Sequence, residues 1–214
     1  MSQRKIKLKV CGMKHPENIQ EVMGLAPDYM GFIFYSKSPR FVADHLSGSF
    51  LDELSSNIKR VGVFVNEDIE SIREKVKVFS LDAVQLHGNE PIEDCRTLKK
   101  EGLTVIKVFS VGEQFDFDVL EPYKPHVDFF LFDTKGKDYG GNGIAFDWSI
   151  LKQYDNEVPF FLSGGIDLEN ISEIAQLKGL NIHAIDVNSR FELEPGLKEV
   201  EKLKKLKKIL MSSN

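Results

Sequence analysis

The strongest constraint on this chain is an eightfold alternation. Short β-branched and aromatic runs recur at residues 6–11, 29–34, 60–65, 83–87, 104–110, 128–134, 158–163 and 184–188, with centres 22 to 31 residues apart. Between them lie stretches with helical spacing and acidic or Asn/Ser starts, among them 16–25, 68–79, 91–101 and 168–177. Strand–helix units of this size, eight in a row, predict an α/β chain folded as a single (β/α)8 TIM barrel over residues 1–214. An open doubly wound sheet is the alternative. Such sheets usually have fewer strands and carry a glycine-rich dinucleotide fingerprint after the first, where this chain reads Val10-Cys11-Gly12-Met13. At 214 residues the chain is short for a barrel, which typically takes about 250. Eight units leave no second domain for a cofactor or partner enzyme, so the chemistry is expected at strand ends and in short loops, with no cofactor.

Composition narrows the partners. Apolar residues are 42 % and charged residues 29 %, which excludes disorder or low complexity for the bulk of the chain. A net charge of −5 suits a local anion site but not a broad grip on nucleic acid. No apolar run reaches the roughly 20 residues of a membrane span, and the first residues lack a signal-peptide core. A soluble cytoplasmic protein is expected, either monomer or homodimer. Two cysteines, Cys11 and Cys95, make no disulfide framework, and five scattered histidines argue against a structural metal site. Cys95 shares a helical stripe with Ile92 and Leu98 and reads as core. Residues 195–211 place leucines at helical spacing, which predicts a helix whose lysines, Lys198 to Lys208, lie mostly on the solvated face.

Period two partitions each strand into a side under the helices and a side inside the barrel. The inward set reads Lys9, Cys11, Gln85, His87, Lys107, Asp133 and Asp186. Charges inside a barrel are costly unless paired or facing a filled mouth, so one reading is a structural ion-pair network. Against it, Cys11, His87 and Asp133 fall at C-terminal strand ends, the face where barrel enzymes work. Glycines at 140, 141 and 143 follow the sixth strand, and Gly164-Gly165 follow the seventh. With Asn188-Ser189 after the eighth, they match the usual barrel phosphate site, where backbone N–H groups approach an anion closely.

These blocks also resemble a known family. Val10-Cys11-Gly12, Gly31-Phe32-Ile33-Phe34 with the 36–40 loop, Val61 to Asn66, Val84-Gln85-Leu86-His87-Gly88, Phe132-Asp133-Thr134, Gly140 to Gly143, Phe146-Asp147-Trp148 and Ser163-Gly164-Gly165 are similar, in this order, to phosphoribosylanthranilate isomerase of tryptophan biosynthesis. The resemblance implies an Amadori rearrangement with Cys11 as general base and Asp133 as general acid. It implies that Arg40 meets the substrate carboxylate, that His87 lines the pocket, and that Asp186 binds a sugar hydroxyl. Gly141, Gly143, Gly164, Gly165 and Ser189 become the phosphate candidates. Where the family usually reads Asp-Val-Ser-Ser-Gly, this chain reads Asp186-Val187-Asn188-Ser189-Arg190, and Arg190 is expected to meet the phosphate in place of the glycine's backbone freedom.

The chemistry sets demands. A free thiol has a pKa of roughly 8.5, so Cys11 needs help to ionise at neutral pH, and Lys9 one inward position below is expected to supply it. Asp133 needs the opposite shift, toward retaining its proton. Two rival readings are the histidine-pathway isomerase performing the same rearrangement, whose family has aspartate where Cys11 stands, and a barrel retained without catalysis.

Overall fold

A computed structural model describes residues 6–52, 57–134 and 147–212. Eight parallel strands close in sequence order: β1 (Lys7–Val10), β2 (Tyr29–Ile33), β3 (Lys59–Phe64), β4 (Ala83–Leu86), β5 (Thr104–Val111), β6 (Phe129–Thr134), β7 (Phe160–Leu162) and β8 (Ile182–Val187). The closing seam pairs β1 with β8, setting Lys9 beside Asp186. All eight expected strands are present. The helices are α1 (Pro16–Met23), α2 (Gly48–Asp52), α3 (Ile69–Val78), α4 (Ile92–Lys100) and α5 (Val200–Ser212). No helix among the described residues is long and apolar enough to cross a membrane.

Local chemistry explains the element types. Pro16 opens α1, where its missing N–H has no helical partner to lose. The Asp68 carboxylate accepts from the Ser71 N–H and caps α3. After β5 the chain winds as a 3-10 helix through Phe117–His126, where Pro122 and Pro125 forbid a regular α-helix. The helical stretch expected after β7 is also 3-10, Ile171–Leu177. Its buried residues Ile171, Ile174 and Leu177 are spaced by three, which puts them on one face at three residues per turn.

The bottom rim is tied by three aspartates. Asp28, Asp82 and Asp128 each stand just before an even-numbered strand. Each accepts from a backbone N–H of the preceding strand: Leu8 at 2.9 Å, Arg60 at 2.8 Å and Val105 at 2.9 Å. Their own N–H groups donate back to Leu8, Arg60 and Val105 carbonyls. β1–β2, β3–β4 and β5–β6 are thus locked as pairs.

The core has two compartments. The larger lies between sheet and helices, and the smaller fills the barrel with Tyr29, Val61, Ala83, Ile106, Val108, Leu131, Phe161 and Ala184. This corrects one assignment: Ile106 and Val108 point into the barrel, so Lys107 faces the helix layer. There its ammonium meets Glu90 Oε2 at 2.7 Å and the Gly88 carbonyl at 2.7 Å. Alternation alone could not choose the face, because the salt bridge makes the outer one habitable for a lysine. Cys95 is buried in α4, as expected.

A second correction concerns the C-terminal segment. Glu192–Glu194 and Leu197–Lys198 form a short antiparallel hairpin, β9 and β10, before α5 begins at Val200. Pro195-Gly196 makes the turn, with Gly196 at φ +92°, which no other residue type adopts cheaply. Lys198 is therefore only 1 % exposed rather than on the solvated face of a helix.

Candidate active site

The strand ends open into a cavity lined by Cys11, Arg40, Gln85, His87, Asp133, Ser163, Asp186 and Asn188, with Ile33, Tyr35, Ser38, Val63 and Val65 as walls. Every expected catalytic and substrate-binding residue lies in it. Cys11 ends β1, its N–H bonded to the Val187 carbonyl at 2.9 Å across the closing seam. Its sulfur lies over Gly31, where a Cβ would stand only 2.6 Å from Sγ. Gly12, at φ +75°, turns the chain away from the barrel, and a Cβ there would meet Arg40 Cδ and Asn188 Oδ1, each at 2.7 Å. Two glycines thus make the room in which thiol and guanidinium come together.

A chain of polar contacts crosses the barrel under the cavity. Lys9, fully buried, donates to Asp186 Oδ1 at 2.9 Å and to Gln85 Oε1 at 2.8 Å. Since Gln85 accepts with its oxygen, its amide nitrogen must donate, and it lies 3.0 Å from His87 Nδ1. That assigns the hydrogen of neutral His87 to Nε2, which sits 3.4 Å from Asp133 Oδ2. The other Asp133 oxygen accepts from the Thr134 N–H at 2.9 Å.

The electrostatics around Cys11 depart from the expectation. Burial pushes its thiol above the ordinary range, and the Lys9 ammonium pulls it down only in part, because Asp186 pushes it up again. Burial works against the charge of Lys9, but Asp186 and Cys11 together hold its pKa above the ordinary lysine value. The lysine is committed to its carboxylate, and its pull on the Cys11 thiol is correspondingly small beside that of burial.

Arg40 comes from the loop after β2. Its Nε donates to Glu192 Oε1 at 2.9 Å and its Nη2 to Glu192 Oε2 at 2.6 Å. Lys198 Nζ donates to the same Glu192 Oε1 at 2.6 Å and to Asn188 Oδ1 at 2.7 Å. Although burial alone would raise the Glu192 carboxyl, Arg40 and Lys198 hold it below the usual carboxylate range. Burial draws Lys198 down to about 8, with Glu192 opposing the fall. Neither Glu192 nor Lys198 was singled out from the sequence. The signal for them is the Pro195-Gly196 turn, which folds Lys198 back onto Glu192.

The described phosphate candidates lie at the rim. Gly164 and Gly165 have φ +86° and +65° beside the cavity residue Ser163. No hydrogen bond among the described residues uses their N–H groups. A Cβ on Gly164 would come into hard contact with Thr134, so the turn admits no side chain. Ser189 follows Asn188 and opens a single 3-10 turn, Ser189–Phe191, while Arg190 is exposed and does not line the cavity. Gly141 and Gly143 lie outside the described residues.

Comparison with known proteins gives the family. The model of N-(5'-phosphoribosyl)anthranilate (PRA) isomerase matches residues 8–208. The chain belongs to the PRA isomerase family. A relative from Parabacteroides distasonis, named N-(5'-phosphoribosyl)anthranilate isomerase, is 50 % identical over 200 residues, covering 92 % of this chain and 90 % of its own. The crystal structure of phosphoribosyl anthranilate isomerase from Thermotoga maritima superposes with a TM-score of 0.87 at 35 % identity, covering 97 % of this chain and 99 % of that one. Another solved PRA isomerase, at 33 % identity and TM-score 0.83 over 97 % and 99 % of the two chains, is in complex with reduced 1-(o-carboxyphenylamino)-1-deoxyribulose 5-phosphate. Membership in the PRA isomerase family makes this chain an isomerase of the aldose–ketose type.

Proposed function

We propose that this barrel converts N-(5'-phosphoribosyl)anthranilate into 1-(2-carboxyphenylamino)-1-deoxyribulose 5-phosphate, a step of tryptophan biosynthesis carried out in the cytoplasm, with Cys11 as general base and Asp133 as general acid. The observation that carries this reading is one cavity lined by Cys11, Asp133 and Arg40 together. Asp133 gives its proton to the furanose ring oxygen as the bond from that oxygen to sugar carbon 1 breaks, leaving a protonated Schiff base. Cys11, as thiolate, takes the proton from carbon 2, and the electron pair of that C–H bond forms the enolamine. Return of a proton to carbon 1, and loss of one from the carbon 2 hydroxyl, give the ketone and restore the proton count.

Burial of Cys11 has a use here. A thiolate whose pKa is raised is scarcer but a stronger base once formed. The neutral His87 Nε2–H beside Asp133 can donate to the carboxylate left after the first transfer. Arg40 takes the anthranilate carboxylate, Asp186 a sugar hydroxyl, and the N–H groups of Gly164 and Gly165 the phosphate. Ser189 and Arg190, with Gly141 and Gly143, complete that phosphate set.

The test is a fluorescence assay on freshly prepared phosphoribosylanthranilate. Wild type should turn over, and Cys11→Ala and Asp133→Asn should each lose at least about a hundredfold in kcat, the low end for removing a general acid or base. An inactive wild type, or variants that keep most of the rate, would reject the assignment.

A further inference from the structure

The Arg40–Glu192–Lys198 cluster uses buried charge that the reaction steps above do not require. Glu192 side-chain exposure is 4 %, Arg40 12 % and Lys198 none. Three buried charges are costly to maintain unless their geometry is well satisfied. Glu192 Oε1 receives Arg40 Nε at 2.9 Å, Lys198 Nζ at 2.6 Å and the Gly196 N–H at 3.1 Å. Oε2 receives Arg40 Nη2 at 2.6 Å and Nε at 3.1 Å.

A guanidinium has two edges that can face a carboxylate with paired donors. Glu192 occupies the Nε/Nη2 edge. Among the described residues no hydrogen bond uses Nη1, and the side chain lines the cavity. The other edge, Nη1/Nη2, is therefore left to a ligand. An Arg–Glu pair alone is electrically neutral and would attract a carboxylate weakly. Lys198 changes that: with its ammonium protonated behind Arg40, two cations and one anion leave the cluster a net charge of +1. Lys198 is itself anchored, since its N–H and carbonyl bond the Asn18 side chain at 2.7 and 3.0 Å.

We propose that Glu192 is a positioning residue for substrate recognition: by clamping the Nε/Nη2 edge of Arg40, with Lys198 supplying the compensating charge, it aims the Nη1/Nη2 edge at the carboxylate of the substrate's aromatic ring. The inference rests on the function proposed above and names how that site distinguishes an ortho-carboxylated arylamine from a plain one. Glu192→Gln cannot reproduce the clamp, because the amide nitrogen would set a donor against Arg40 or Lys198 donors.

The experiment compares two substrates, phosphoribosylanthranilate and the N-phosphoribosyl adduct of aniline, which lacks the carboxylate. Wild type should turn over both, with a higher KM for the aniline adduct. Glu192→Gln should raise KM for the anthranilate substrate about tenfold, equal to about 1.4 kcal/mol, with KM for the aniline adduct and both kcat values unchanged. Glu192→Asp keeps the charge but shortens the reach, and should show the same selective loss more weakly; it secures the test should Glu192→Gln fail to fold, as judged by thermal unfolding. In an Arg40→Met background, Glu192→Gln should add nothing further.

An equal loss on both substrates would reduce Glu192 to a structural brace and overturn the proposal. A fall in KM for the anthranilate substrate would also overturn it, since Glu192 would then compete with the substrate for Arg40. An Arg40→Met loss that is equal on both substrates would remove the carboxylate site itself from the proposed function, a failure distinct from that of Glu192.

Discussion

The inside of the barrel has a floor and a mouth built on the same inward-pointing alternation, and they could hardly differ more. Toward the N-terminal ends, Tyr29, Phe129, Phe161 and His183 pack edge-on or tilted with ring centroids 4.2 to 5.8 Å apart, and the Tyr29 hydroxyl meets His183 Nε2 at 2.7 Å. Above them sits a charged layer of Lys9, Asp186 and Gln85, and above that the cavity. The floor is satisfied by ring packing and by the one hydrogen bond between Tyr29 and His183. The mouth is satisfied by specific pairing, and its outermost donors and acceptors are left for a substrate. One scaffold therefore separates the groups that keep it folded from those that react.

That contrast can be broken in measurable ways. Phe161→Ala, in the floor, should cost about 3–5 kcal/mol of unfolding free energy while leaving KM unchanged; a shifted KM would show that floor and mouth are coupled. Lys9→Met should cost a similar amount, about 3–5 kcal/mol, because it strands Asp186 buried without its cation. Adding Asp186→Asn should recover part of that loss in denaturant unfolding, and failure to do so would mean the pair is not the source.

Smaller effects test the electrostatics of the mouth. Cys11 alkylation by iodoacetamide, followed by peptide mass spectrometry, should keep rising with pH beyond the point where an exposed cysteine levels off, since burial holds the thiol up. An early plateau would instead mean a thiolate already formed. Glu192, held below the ordinary carboxylate range, binds fewer protons folded than unfolded in mild acid. Its contribution is therefore present above the unfolded pKa and lost as pH falls through the folded one, with Arg40 and Lys198 charged throughout. Glu192→Gln should flatten that acid limb of the stability curve. Smallest of all, Arg96→Ala removes an exposed pair with Glu93 and should change stability by less than about 0.5 kcal/mol.

The architecture was legible because strand and helix periods differ, and eight alternations leave few ways to close a sheet. Cys11, His87, Asp133 and Asp186 were legible for the same reason: alternation put them inward and strand length put them high. Lys107 was not, because its partner Glu90 comes from the loop after β4 and no local pattern announces a salt bridge in the helix layer. Arg40 stood out only through the family resemblance, being a loop residue with no periodicity to place it. Glu192 and Lys198 were hidden by the leucine spacing of the following helix, which masked the Pro195-Gly196 turn. Lys9 was placed correctly, but its effect on Cys11 was overstated, since the countercharge of Asp186 depends on a seam between the first and last strands.

The aspartate ties along the bottom rim join the strands two by two across only 20 to 23 residues of sequence. Such short-range locks carry a low loop-closure cost, whereas the β1–β8 seam that shuts the ring joins residues 177 apart at Lys9–Asp186. The reactive side chains do not respect that modularity. Cys11 and Lys9 come from the first pair, Gln85 and His87 from the second, Asp133 from the third, and Asp186 from the last strand. The site thus draws on all three tied pairs and on the last strand, with no one of them sufficient, so that turnover is itself a report that the ring has closed.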